Sequence, residues 1–224
     1  STRSGSDVDR VTRRQLRLVL ISDGQGDLAR LERIVAAAVD NGVRCVQLRE
    51  RHWTARELCA ATERLLPRLT AVDGRLLVND RVDVAAALGA GAQIGRRSMP
   101  ADLARRVLGE GALLGFSAHD AAELDLAHAA GCDFALLSPV WPTSSKPGAA
   151  ALGTARASAL TERARLPVVW LGGVDVANFD DCSRLTAPPL LHGFAVRSAI
   201  MAAADPGAAT AALLAAIDRV LPPR

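Results

Sequence analysis

Tyrosine is absent, and flat rings are scarce throughout: four phenylalanines and three tryptophans among 224 residues. So few aromatics argue against the stacking platforms on which single-stranded nucleic acids are held. Net charge is small as well, +3 from 27 basic and 24 acidic side chains spread along the chain. The pI near 9.0 therefore reflects an arginine surplus and suits an anionic small ligand as well as it suits nucleic acid. No apolar run approaches the roughly 20 residues of a membrane-spanning helix, and no signal-peptide pattern opens the sequence. The four cysteines, Cys45, Cys59, Cys132 and Cys182, form no CxxC pair. A chain of this length needs no disulfide staples, so reduced thiols in a cytoplasmic protein are expected.

What is present is apolar bulk: 50% of the residues are hydrophobic, nearly all Ala, Val and Leu. Short apolar runs fall at Leu16–Ser22, Arg44–Leu48, Arg75–Val78, Ala92–Ile94, Ala112–Ser117, Phe134–Ser138, Pro167–Leu171 and Leu190–Val196. Continuous rather than alternating hydrophobicity suits parallel strands covered on both faces. Amphipathic segments separate them, among them 28–42 with Gly42 as its C-terminal stop and a segment from Thr54, whose Glu57 completes a capping box. Strict strand-then-helix alternation, eight times over, predicts a single (β/α)8 TIM barrel with parallel strands over residues 15–224. Residues 1–14 read as a frayed tail. The rival, an open doubly wound sheet, lacks its G-x-G-x-x-G after the first strand.

Active sites of such barrels form at the C-terminal ends of the strands. The second strand ends in Gln47-Leu48-Arg49-Glu50-Arg51, and alternation points Gln47 and Arg49 together into the mouth. A guanidinium there offers bidentate hydrogen bonds to phosphate, or pairs with a neighbouring carboxylate. The third ends in Asn79-Asp80-Arg81, where Asp80 is either a hard-metal ligand or, on this segment alone, the cap of the next helix. The fourth ends in Gly95-Arg96-Arg97-Ser98, two arginines that solvent alone would also explain. The fifth supplies Ser117 as a hydrogen-bond donor and His119 as a proton carrier or a structural imidazole. His52, His128 and His192 have no comparable setting. After the sixth, the loop 138–153 holds Thr143-Ser144-Ser145-Lys146 between two prolines, hydroxyls and an ammonium suited to phosphate unless the loop is a lid without ligand contact. The seventh ends in Gly172-Gly173, and the eighth runs through Arg197 to Ser198-Ala199-Ile200, a place where barrels bind phosphate on free N–H groups.

These residues resemble the thiamine phosphate synthase and TenI superfamily, over about Leu16–Leu221. The likeness rests on QLRER, NDRVDVA, G-x-SAH, SPVWPTSSK, PVVWLGGV and AVRSAI, in that order along the chain. It implies a cytoplasmic enzyme that joins a pyrimidine diphosphate to a phosphorylated thiazole and releases pyrophosphate. Its partners are then small molecules rather than nucleic acid or membrane, and assembly into homo-oligomers stays open. On that resemblance Gln47, Arg49 and Arg51 hold the diphosphate, with Asn79 and Ser117 beside them; the family usually has Lys at 51. Lys146 neutralises the leaving group, Asp80 binds Mg2+, and Thr143 and Ser145 meet the thiazole. Gly172, Gly173 and the Ser198–Ile200 segment bind its phosphate.

One departure stands out. After the fourth strand the synthase pattern is His-Leu-Gly-Gln-x-Asp, whose Asp is a second metal ligand; this chain has Ser98 at that place. A hydroxyl is a poorer Mg2+ ligand than a carboxylate, and Arg96 or Arg97 is the alternative source of positive charge. The same loss points to the TenI branch, which tautomerises a thiazole carboxylate phosphate without metal and would use His119 as its acid and base. A catalytically silent phosphate-binding barrel is the non-enzyme alternative, and another sugar-phosphate barrel would leave PTSSK and QLR together unexplained.

Overall fold

The computed structural model of the chain describes residues 12–143, 148, 150–182 and 186–222. Its strands are β1 (Leu18–Ile21), β2 (Cys45–Leu48), β3 (Arg75–Asn79), β4 (Gly91–Gly95), β5 (Leu114–Ala118), β6 (Phe134–Leu137), β7 (Val168–Leu171) and β8 (Leu191–Val196). All pairings are parallel and run in chain order, and β8 closes on β1 through Leu18–Phe194 and Leu20–Val196. The result is the expected eight-stranded barrel. Its helices are α1 (Arg13–Leu16), α2 (Leu28–Asp40), α3 (Ala55–Thr70), α4 (Val82–Leu88), α5 (Ala101–Leu108), α6 (Ala121–Ala129), α7 (Gly153–Arg163), α8 (Phe179–Cys182), α9 (Ser198–Met201) and α10 (Pro206–Val220). No helix among the described residues is long and apolar enough to cross a membrane.

Two sets of side chains make the core. Leu18, Leu20, Val46, Leu48, Leu76 and Val78 point outward and pack under α2 and α3, against Leu31, Val35, Leu58 and Leu65. Val19, Ile21, Cys45, Leu77, Phe134, Leu136, Val169 and Ala195 fill the barrel interior. Gly115 makes room there: a Cβ on it would sit 2.5 Å from the Phe134 ring. Along the same inward phase the residues turn polar toward the strand ends. Cys45 gives way to Gln47, Leu77 to Asn79, and Gly115 to Ser117. Because the side-chain period of a strand is two, this switch places a polar layer directly above an apolar plug.

The expected helix signals hold at Thr54 and Glu57, which form a reciprocal capping box. They hold also at Gly42, which follows the Asn41 cap with a φ of +112°. Two boundaries need correction. Arg13 and Arg14 are not tail but helix, because Thr12 and Gln15 cap α1 reciprocally. Leu16 ends that helix instead of opening β1, and it is fully buried in the interior cluster at the barrel floor. Residues 1–11 lie outside the described residues.

Candidate active site at the barrel mouth

The polar layer holds two hydrogen-bonded runs of side chains. Gln47 Nε2 donates to Asn79 Oδ1 at 2.7 Å, and Asn79 Nδ2 donates to Asp80 Oδ2 at 2.7 Å. The Ser98 hydroxyl donates to Asp80 Oδ1, and its oxygen accepts from the Gly95 amide at 2.8 Å. Gln93 Nε2 reaches Ser117 Oγ at 3.1 Å. Asp80 sits at φ +62°, a left-handed conformation that Asp tolerates better than most residues. Its backbone amide still bonds the Gln93 carbonyl at 3.0 Å, so the turn that ends β3 is tied to β4. The reading of Asp80 as a helix cap is corrected by this geometry: Arg81 is the cap residue of α4, with no side-chain cap bond, and the Asp80 carboxylate is spent on Ser98 and Asn79.

A cavity of about 300 Å³ opens above this layer, at the small end of ligand pockets. It gathers Gln47 from β2 with Arg49 and Arg51 just beyond it, Asn79 from β3 with Asp80 just beyond it, and Arg96, Arg97 and Ser98 from beyond β4. Ser117 from β5 with His119 just beyond it, Thr143 from the sixth loop, Gly172 from beyond β7 and Arg197 from beyond β8 complete the ring. Five guanidiniums thus face a single carboxylate. Burial lowers the half-buried Arg49 guanidinium below its ordinary value, and the like charges of Arg51 and Arg197 lower it further. Asp80 and Glu50 pull the other way, and arginine remains charged at neutral pH. Glu50 is itself occupied, accepting from the Gly24 and Gly26 amides at 3.1 Å each and fixing the loop after β1.

His119 is held by Glu123 one helical turn on. Glu123 Oε2 meets imidazole Nδ1 at 2.8 Å and also accepts from the His119 backbone amide at 2.8 Å. Such a carboxylate fixes ring orientation and tautomer. Arg96 leans on the same carboxylate at 3.9 Å with its side chain 84% exposed, a weak pair. Neither Glu123 nor Arg197 was found by sequence reasoning. The i, i+4 spacing of Glu123 from His119 was the available signal for the first; for the second it was a charge directly after an apolar strand.

The sixth loop is sewn to β7. Val140 N donates to Leu171 O at 2.9 Å and Trp141 N to Gly172 O at 3.0 Å. The Trp141 ring packs edge-on against Trp170, which meets Phe194 in turn. Gly173, at φ +66°, is needed for this closeness, since a Cβ there would lie 2.5 Å from the Pro142 carbonyl oxygen. Gly172 lines the cavity; Gly173 does not. Ser198 is exposed at the first position of α9 and the Ile200 side chain is fully buried, so neither side chain lines this cavity. Ser145 and Lys146 lie outside the described residues.

A divalent cation fits this donor set poorly. Mg2+ asks for octahedral oxygen ligands, one or two of them carboxylates beside phosphate and water. Among the described residues Asp80 is the one carboxylate lining the cavity, and both of its oxygens are engaged. No group of three or more His, Cys, Asp or Glu among the described residues is placed to hold a metal. The guanidiniums add a cost: at an effective dielectric near 20, a divalent cation and a guanidinium about 8 Å apart repel by about 4 kcal/mol.

Comparison with known proteins agrees with the layout. The family model described as thiamine monophosphate synthase matches residues 18–200. A putative thiamine-phosphate synthase of Geobacter sulfurreducens is 43% identical over 196 residues, 85% of this chain and 87% of that protein. The thiamine-phosphate synthase of Vibrio campbellii is 36% identical over 200 residues, 88% of this chain and 96% of that one. Among solved structures, thiamine phosphate pyrophosphorylase from Pyrococcus furiosus is similar at a TM-score of 0.80 and 28% identity, over 93% of this chain and 98% of that one. The likeness to KGPDC from Streptococcus mutans, at 13% identity and a TM-score of 0.68, is one of fold alone.

Proposed function

The chain belongs to the thiamine monophosphate synthase family, and we propose that its barrel mouth joins a pyrimidine diphosphate to a phosphorylated thiazole, giving thiamine phosphate and pyrophosphate. The observation that carries this is the convergence on one cavity of Gln47, Arg49, Asn79, Ser117, Thr143 and Gly172, contributed from five strand ends around the ring. A transferase of this class breaks the bond between the pyrimidine methylene carbon and the diphosphate oxygen, the electron pair leaving with pyrophosphate. The thiazole nitrogen lone pair then forms the new bond to carbon.

The protein's part is electrostatic. Arg49 and Arg51 take the diphosphate through charge-assisted bonds, and their fixed positive charge stabilises the pair of electrons that departs with it. Asn79 and Ser117, held by Gln47 and Gln93, offer hydrogen bonds whose direction is set before substrate arrives. Lys146 meets the leaving group, and Thr143 and Ser145 orient the thiazole. Of the positions expected to take its phosphate, Gly172 is the one that lines the cavity, and its backbone receives that group. Mg2+, where a family member binds it, would supply further charge against the diphosphate; among the described residues of the cavity Asp80 is the one carboxylate that would reach it, and no step above is routed through it. No disulfide is formed among the described residues, which is compatible with a cytoplasmic, reducing setting.

The paired His119 and Glu123 favour a second reading, proton transfer in a thiazole carboxylate phosphate with the imidazole as acid and base. Binding and turnover separate the two. Thiazole phosphate and the pyrimidine diphosphate are titrated singly, then supplied together. Saturable binding of both with thiamine phosphate formed supports the transferase; tautomer interconversion without coupling supports the second reading. Binding with neither reaction would make the barrel a silent ligand-binding protein.

A further inference from the structure

Resting on the transferase reading for the identity of its substrate, we propose that the diphosphate end of this cavity is an arginine-compensated anion site that holds a pyrophosphate group without a divalent cation. Arg49, Arg51, Arg97 and Arg197 line it from three directions, beyond β2, β4 and β8. The guanidiniums of Arg49, Arg51 and Arg97 have no hydrogen-bond or ion-pair partner among the described residues. A tri- or tetra-anion is the ligand that such a cluster lacks: each planar guanidinium can engage two phosphate oxygens at once.

The place where a metal would be anchored is filled by the chain itself. The Ser98 hydroxyl donates to one oxygen of Asp80 and is held in position by the Gly95 amide, while Asn79 donates to the other oxygen. Asp80 therefore acts as a wall that orients Asn79 and Ser98 and offsets part of the charge of Arg49. The burial of Arg49 strengthens the case, because a half-buried cation flanked by Arg51 and Arg197 regains what it lost to desolvation when an anion arrives. Ser98 and the arginine cluster are thus two halves of one exchange, carboxylate and metal given up for fixed guanidinium charge.

The test is calorimetric titration of the whole chain with inorganic pyrophosphate, once in excess EDTA and once in saturating MgCl2. The expected dissociation constants agree within about threefold, and Arg51→Ala and Arg97→Ala each weaken binding in EDTA by about tenfold. Ser98→Asp restores a second carboxylate: binding in EDTA falls at least tenfold and Mg2+ recovers it. Pyrophosphate binding that requires Mg2+ in the unaltered protein overturns the proposal. So does binding in EDTA that neither arginine substitution changes. Arg97 is exposed, so Arg97→Ala tests the site even if Ser98→Asp does not fold. Turnover is followed in both buffers. Mg2+-dependent binding alongside Mg2+-dependent turnover overturns the arginine site and leaves the transferase reading standing. Metal-independent pyrophosphate binding with no thiamine phosphate in either buffer supports the site and removes the transferase.

Discussion

The Ser98 hydroxyl donates a hydrogen bond to Asp80 across the gap between the ends of β3 and β4, so the two side chains meet directly. The same hydroxyl oxygen accepts from the Gly95 amide at 2.8 Å. Ser98→Ala strips a donor from a carboxylate and an acceptor from a backbone amide at once. The expected loss is about 1–3 kcal/mol of folding stability, read as a lower urea midpoint with an unchanged slope.

Arg49 is the half-buried cation of the cavity, and its charge is only partly offset. A hydrogen bond to a charged group contributes about 1.5–3 kcal/mol. Arg49→Ala is therefore expected to raise KM for the pyrimidine diphosphate about 10- to 100-fold. The dissociation constant for thiazole phosphate should stay within a factor of about three. Equal losses for both substrates would remove Arg49 from the diphosphate side.

At the opposite end of the barrel, stability and not function is at stake. Arg105 is buried, donating to the carbonyls of Gly109, Ala112 and Gly131 and pairing with Asp133 at 2.6 Å. Asp133 accepts in turn from the Leu114 amide at 2.7 Å. Arg105→Ala breaks a buried ion pair, a change that costs about 3–5 kcal/mol. Chemical denaturation should show that loss, while substrate KM values in the folded variant stay as they were.

Burial pushes the Cys45 and Cys132 thiols up to about 12 from an ordinary value of 9.0. A folded-state value above the unfolded one means stability that is complete below about pH 9 and lost as pH climbs toward 12. The melting temperature should therefore hold to pH 9 and fall above it. At pH 8 a thiol reagent should label the half-buried Cys59 in the native protein and reach Cys45 and Cys132 only on unfolding. Rapid native labelling of Cys45 would contradict its place inside the barrel.

The eight strands were legible because parallel strands buried on both faces read as apolar runs, and each run lies within about two residues of its strand. Gln47, Arg49, Asn79 and Ser117 were legible as lining the mouth for a related reason: a period of two carries the inward phase from Cys45, Leu77 and Gly115 up to it. What failed was local chemistry with a tertiary competitor. Asp80 looked like a helix cap, but its backbone turns left-handed and its carboxylate finds Ser98 eighteen positions away. Leu16 continued an apolar run, yet Thr12 and Gln15 had already committed it to a helix that plugs the floor. Arg197 showed locally only as a charge after an apolar strand; closure of β8 onto β1 brings it round to Arg49.

Product stoichiometry tests the central claim most directly. The whole chain is supplied with pyrimidine diphosphate and thiazole phosphate, and thiamine phosphate and pyrophosphate are quantified in the same samples. The account predicts that both appear at equal rates, and that Lys146→Ala lowers both together by about 100-fold or more. Substrates that bind and yield neither product would contradict it.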